Sequence, residues 1–162
     1  MLVRRLQAEE LDLVAPVWES LLAHHAEVAP AMATRPPGES WRMRRADYER
    51  WLTEPGSFTL VAEEDGTAVG YAVVHLGGPD ETWVTGERTA ELETLAVLPS
   101  SRGEGVGSAL MDAVDEELGR LGVDDLWVAV VAGNEGAMRF YERRGLVAYM
   151  QRMHRSRVDA NG

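Results

Sequence analysis

ELETLAVLPSSRGEGVGSAL, residues 91–110, changes character twice along its length. It begins as a strand, is stopped at Pro99, passes through a glycine-rich turn and then turns helical. Within it Arg102, Gly105 and Gly107 stand in an R-x-x-G-x-G spacing, with a further glycine at Gly103. Glycines allow positive φ and let a ligand approach bare backbone. Where such a turn opens a helix, several N–H groups point outward together with the positive end of the helix dipole. The result is an anion seat, whose usual occupant is a pyrophosphate.

Three kinds of phosphate-binding turn have to be weighed, beside the plain alternative of a strand–helix connection that merely favours glycine. A dinucleotide fold needs G-x-G-x-x-G, but its third glycine would fall on Ser108 or Leu110. A P-loop ends in G-K-[ST], and the chain has no lysine. The third is [QR]-x-x-G-x-[GA] after a strand of the form L-x-V-x-P, and residues 90–110 match it throughout. In this the chain resembles the GNAT superfamily of acyl-CoA-dependent N-acetyltransferases.

Composition sets the outer limits. A chain of 162 residues and 17.8 kDa, with 45% apolar and 27% charged residues, reads as one soluble globular domain. No apolar run approaches the ~20 residues that span a bilayer. MLVRRLQAEEL lacks the apolar centre of a signal peptide, so a cytoplasmic location is the default expectation. Cysteine is absent, which removes disulfides and thiol nucleophiles. Every one of the 16 basic residues is arginine and isoleucine is missing, as expected of a high-GC bacterial genome. The net charge of −11 disfavours nucleic acid and anionic membranes and favours cationic partners, unless it serves solubility alone. Arginines gather at 42–50 and 139–157, where either cluster could meet cofactor phosphates. His24, His25, His75 and His154 show no ligand spacing, so no metal is expected.

In chain order the pattern predicts a short strand at Val3–Leu6 and a helix over Ala8–Ala29 with apolar positions at Leu11, Val14, Trp18, Leu21 and Leu22. A breaker-rich loop over 30–38 precedes a helix capped by Ser40 and running to Leu52. Strands at Phe58–Glu63 and Ala68–Leu76 flank a Glu64-Asp65-Gly66 hairpin signal. A polar loop over 77–88 leads to a strand at Ala90–Leu98 and a helix at Gly105–Leu121. Asp125–Val131 reads as a buried parallel strand. Asn134 caps a helix through Arg144 that Gly145 ends, Leu146–Met153 is a last strand, and the tail from Ser156 is loose. The fold class is therefore α/β, a mixed central sheet flanked by helices. That order is also the GNAT order, except that many relatives end in a two-strand hairpin where this chain has one strand. An open edge there would suit a homodimer.

The resemblance implies an acetyl-CoA cosubstrate and an amine acceptor, a small molecule or a protein amine. It implies that the amides of Gly103, Glu104, Gly105, Val106, Gly107 and Ser108 hold the pyrophosphate, with Arg102 opening the turn. Leu95, Ala96 and Val97 would pair with the pantetheine arm, the Ala96 or Val97 N–H facing the acetyl oxygen. The family's second motif, N-x-x-A-x-x-F-Y-x-x-x-G, is matched by Asn134, Ala137, Phe140, Tyr141 and Gly145. It makes Asn134 a contact to the cofactor arm and Tyr141 the acid that protonates the leaving thiolate. For the base, Glu91 and Glu93 share one face of their strand, with Glu91 ranked first. His24, His25 and Glu27 fall near the expected acceptor pocket, and Trp41, Tyr48 and Trp51 either wall it or pack the sheet. With no cysteine and no G-x-S-x-G elbow, the amine is expected to attack directly in a ternary complex. A non-catalytic acyl-CoA sensor and a transferase for a longer acyl chain remain as alternatives.

Overall fold

Five strands lie side by side in the order β1-β2-β3-β4-β5, the first three pairings antiparallel and the last parallel. The computed structural model describes residues 1–155, so the tail expected to be loose lies outside the described residues. The strands are β1 (Leu2–Arg5), β2 (Phe58–Glu64), β3 (Thr67–Gly77), β4 (Thr89–Val97) and β5 (Asp125–Val128). The helices are α1 (Ala15–Val28), α2 (Pro37–Leu52), α3 (Val106–Leu121) and α4 (Glu135–Glu142). The β2–β3 hairpin closes through Asp65 and Gly66 at φ 48° and 75°, the left-handed pair that a two-residue turn between twisted strands needs.

Each face of the sheet buries its own core. On one, Phe58, Leu60, Val74 and Leu92 meet Val106, Leu110, Met111 and Val114 of α3 and Tyr141 of α4. On the other, Val61, Tyr71, Val73 and Ala96 meet Leu11, Val14, Trp18, Trp41 and Tyr48. Gly70 brings β3 and α3 together, because a Cβ there would stand 2.9 Å from the Ala96 carbonyl and 3.0 Å from Val106.

Several boundaries differ from the sequence reading. The first helix is split into a 3₁₀ segment, Ala8–Val14, and α1, since Pro16 lacks an amide hydrogen and sits best in a helix's first turn. Ser40 is not a cap: α2 starts at Pro37, and the Ser40 hydroxyl accepts the Trp18 indole N–H at 3.1 Å. β5 is four residues long and only half-buried, not the longer buried strand expected. The chain leaves β4 after Val128, and Gly133 packs so tightly on the Val28 carbonyl that a Cβ would collide with it. No strand forms among the described residues after Gly145. Leu146-Val147 and Tyr149-Met150 are paired apolar residues without period-2 alternation, so they offer no single face to bury. Val147 stays 81% exposed and Met153 94%. Among the described residues no helix is long and apolar enough to cross a membrane.

One polar network crosses the second core. The Tyr48 hydroxyl bonds Tyr71 at 3.0 Å and Thr94 at 2.6 Å. Burial pushes the Tyr48 phenol up to about 12, with those two hydrogen bonds opposing, and burial also raises Tyr71. An unfolded tyrosine ionises near ~10. Their stabilising contribution is therefore intact below ~pH 10 and is lost as pH rises toward the folded values. Urea midpoints followed by circular dichroism are expected to fall above ~pH 10, and Tyr48→Phe to flatten that fall.

Candidate functional site

Between β4 and β5 the sheet forks. Their pairing ends at Leu92↔Val128, yet β4 continues to Val97 with no strand on that side. The Leu98 N–H bonds Val69, and the Ala96 carbonyl faces Gly70, so these residues turn their backbone groups to β3. Backbone direction alternates along a strand. Leu95 and Val97 therefore present theirs to the open edge. Of the two amides expected to face the acetyl oxygen, only that of Val97 looks into the fork, while Ala96's is turned into the sheet.

The glycine turn stands at the end of that edge. Pro99–Ser101 makes one 3₁₀ turn, and the Arg102 Nε donates to the Val97 carbonyl at 3.3 Å, so this side chain braces the strand end. Gly103 and Gly105 take φ values of 80° and 87°. The first helical bond of α3 runs from the Ala109 N–H to the Gly105 carbonyl, and no side chain caps the helix. The amides of Val106, Gly107 and Ser108 are thus left for a ligand. Gly107 faces α4 and β4, since a Cβ there would stand 3.7 Å from the Phe140 ring and 3.8 Å from Val97. The Glu104 side chain is exposed beside the turn, so its carboxylate would not help an anion and its amide alone belongs to the cradle. Beside the helix start, Ser108, Phe140, Arg143 and Arg144 line a cleft of about 420 Å³. Arg144 is engaged there with the Ser108 carbonyl and Asp112, at 2.9 and 2.8 Å. This donor set, orphan amides with arginine at their flank, fits a diphosphate.

α4 carries the second motif. The Asn134 side-chain oxygen accepts the Ala137 N–H at 3.1 Å, so this atom caps the helix. Gly145 at φ 85° ends the helix, letting the Leu146 N–H reach back to Tyr141. Tyr141 is 8% exposed, and its hydroxyl has no hydrogen-bond partner among the described residues. Burial raises its phenol well above the usual range.

At the vertex of the fork β4 bulges. Leu92 pairs with Val74 and Thr94 with Val73, leaving Glu93 as the extra residue. A bulge puts two consecutive side chains on one face, here Glu93 beside His75 and Thr94 on Tyr48. Glu91 lies opposite His75 in the register. The His75 Nε2 meets the Glu54 carboxylate, its Nδ1 lies 3.7 Å from Glu93, and its ring stacks on Trp51 with centroids 5.3 Å apart. Burial raises the Glu91 carboxyl, and the neighbouring Glu93 adds to this while His75 opposes. Burial likewise raises Glu93, against His75 and Arg44. Trp41 and Tyr48 are core residues, and only Trp51 of the three aromatics lies on this cluster. His24 lies 3.6 Å from Glu27, and His25 is lowered by burial and by the His24 and Arg44 charges. Among the described residues no cluster of metal-ligating side chains forms.

The sequence model of the Acetyltransferase (GNAT) family matches residues 18–146, which contain the fork, the glycine turn and α4. The chain belongs to the GNAT family. An uncharacterized N-acetyltransferase of Mycobacterium tuberculosis is 34% identical over 100 residues, covering 62% of this chain and 59% of that protein. A mycothiol acetyltransferase of Propionibacterium freudenreichii is 31% identical over 137 residues, covering 85% of this chain and 40% of its own. The chain thus spans about 59% or less of the length of these relatives. Among solved structures, an aminoglycoside N-acetyltransferase in complex with CoA superposes with a TM-score of 0.71 at 20% identity, over 97% of this chain and 95% of that one.

Within this GNAT fold, the residues singled out in the sequence fall into two groups. Leu95 and Val97 lie on the unpaired stretch of β4, the turn from Arg102 to Ser108 follows it, and Asn134 caps α4, which carries Tyr141, all of them C-terminal to the vertex of the fork. Glu91 and Glu93 stand at its vertex, on the α1/α2 face. In the sequence neither His75 nor Glu54 carries a spacing that ties it to Glu91 and Glu93. The signal for His75 was its place across the hairpin from Glu91, which only the register reveals.

Proposed function

We propose that this chain transfers an acetyl group from acetyl-CoA directly to a primary amine. The observation that carries the reading is the meeting, at Val97, of an unpaired strand edge and an uncapped helix start. When bound, the cofactor supplies an activated thioester. The amides of Gly103 to Ser108 hold its diphosphate, and Arg143 and Arg144 flank the outer phosphate. The edge groups of Leu95 and Val97 pair with the pantetheine arm as an added strand would, and the Val97 N–H faces the acetyl oxygen. Tyr141 keeps its proton at the hydroxyl and gives it to the departing sulfur. Glu93, with Glu91 behind it, takes a proton from the ammonium.

The acceptor enters from the α1/α2 side, beneath the loop after β3. The carboxylates of Glu54, Glu91 and Glu93, within a chain of net charge −11, favour a cationic amine. A mycothiol acetyltransferase among the relatives and an aminoglycoside N-acetyltransferase among the structural neighbours put such small molecules first on the panel, before amino acids and protein amines. The outer edge of β5 is where a second copy of the chain would add strands in a homodimer.

Release of free thiol from acetyl-CoA across an amine panel tests the reading. Turnover with at least one amine is expected, and calorimetric titration is expected to rank acetyl- above propionyl- and succinyl-CoA. Tight cofactor binding with no thiol release for any amine would mark a sensor instead. A reversed ranking would mark a transferase for a longer acyl chain.

A further inference from the structure

The vertex cluster holds more than a lone carboxylate. Glu93 is the bulged residue where β4 and β5 part, its side chain directed to the face away from α3. Behind it stands His75 of β3, and behind that Glu54, from the turn between α2 and β2. Trp51 stacks flat on the imidazole and fixes the ring plane. A ring nitrogen that meets a carboxylate donates to it, so Nε2 carries a hydrogen. The other nitrogen, Nδ1, faces the Glu93 carboxyl. Side-chain exposure rises along the row, from 21% at Glu93 through 27% at His75 to 42% at Glu54.

We propose that Glu93, His75 and Glu54 form a proton relay, leading the proton of the acceptor ammonium from the fork to solvent. The inference rests on the acetyltransferase reading above. Acetyl transfer forms a C–N bond and breaks a C–S bond, and the ammonium gives up two protons. One ends on sulfur, by way of Tyr141, and the other must leave. Glu93 takes it, passes it to Nδ1 of His75, and the Nε2 proton moves to Glu54 and on to water. The 3.7 Å gap between Nδ1 and Glu93 exceeds a hydrogen bond, and a small turn of the Glu93 side chain closes it. His75 and Glu54 act through Glu93 and are positioning residues.

The charged groups around the row are few. His75 faces Glu54, Glu91 and Glu93, while Glu93 also feels Arg44 and Asp47 of α2. Burial holds Glu93 above the ordinary carboxylate range, which suits a group that must accept a proton and pass it on.

Two measurements test the relay. In the protein without cofactor, ¹⁵N shifts of the His75 ring are followed against pH. Glu54→Gln is expected to move the Nε2 signal and Glu93→Gln the Nδ1 signal. In turnover, His75→Gln and Glu54→Gln are each expected to lower kcat by about 10- to 100-fold with KM for the amine unchanged. Loss of His75 also removes a group that favours the Glu93 anion, so the rising limb of kcat against pH moves upward. Wild-type turnover with both variants unaffected, or ring signals blind to Glu93, overturns the relay alone. A wild type that acetylates no amine overturns the acetyltransferase reading beneath it.

Discussion

Tyr141→Phe is expected to reduce kcat by about 100-fold or more while the affinity for acetyl-CoA stays within about twofold. The ring is part of the α3 core and phenylalanine refills it. What disappears is one hydroxyl that bonds nothing among the described residues, so no structural hydrogen bond goes with it. A loss confined to kcat therefore reports a group needed only as the sulfur leaves. Burial raises the phenol, which fixes the sign of its pH dependence. The protonated form persists through neutral and mildly alkaline pH, so kcat should not fall on account of this group below ~pH 10. Thiol release and calorimetry on the same preparation provide the measurement, and unchanged kcat in Tyr141→Phe would remove the assigned acid.

How far the sequence went can be judged from individual residues. The turn at Arg102–Ser108 was legible because positive φ at Gly103 and Gly105 leaves a mark in residue choice. The cap at Asn134 and the stop at Gly145 were legible for the same local reason. What stayed hidden depends on partners distant in sequence. β5 reads like a longer strand by composition, and its end is set by Gly133 meeting the end of α1, more than a hundred residues upstream. The last strand fails because apolar content does not make a strand without a face to cover. Ser40 looks like a cap until Trp18 claims its hydroxyl. The bulge at Glu93 has no local signature, and without it Thr94 would point into the α3 core and not onto Tyr48. The glycine turn and the ends of α4 were thus readable from local backbone chemistry, and the cluster at the vertex of the fork was not.

Gly105→Val is expected to weaken acetyl-CoA binding by about 10- to 100-fold. Gly105 sits at φ 87°, ψ 0°, where a β-branched residue is strongly disfavoured, at about 1–3 kcal/mol. Space is not the obstacle, since a Cβ there would meet nothing within 4 Å. The strain is relieved only if the peptide rotates, and rotation turns the first amides of α3 away from the diphosphate. Gly122→Val supplies the control: at φ 67° it carries similar strain at the other end of the same helix, so it should lower stability and leave affinity intact. Gly107→Ala is a second control, because its Cβ would find ordinary contacts at 3.7 Å and binding should persist. The ligand decides the remaining ambiguity. S-acetyl-pantetheine carries the thioester arm but no diphosphate, so Gly105→Val should bind it as weakly, and only as weakly, as the parent chain does. If the variant lost both ligands equally, the strand edge at Leu95 and Val97 would have been disturbed. The diphosphate would then have to be held by something other than these amides.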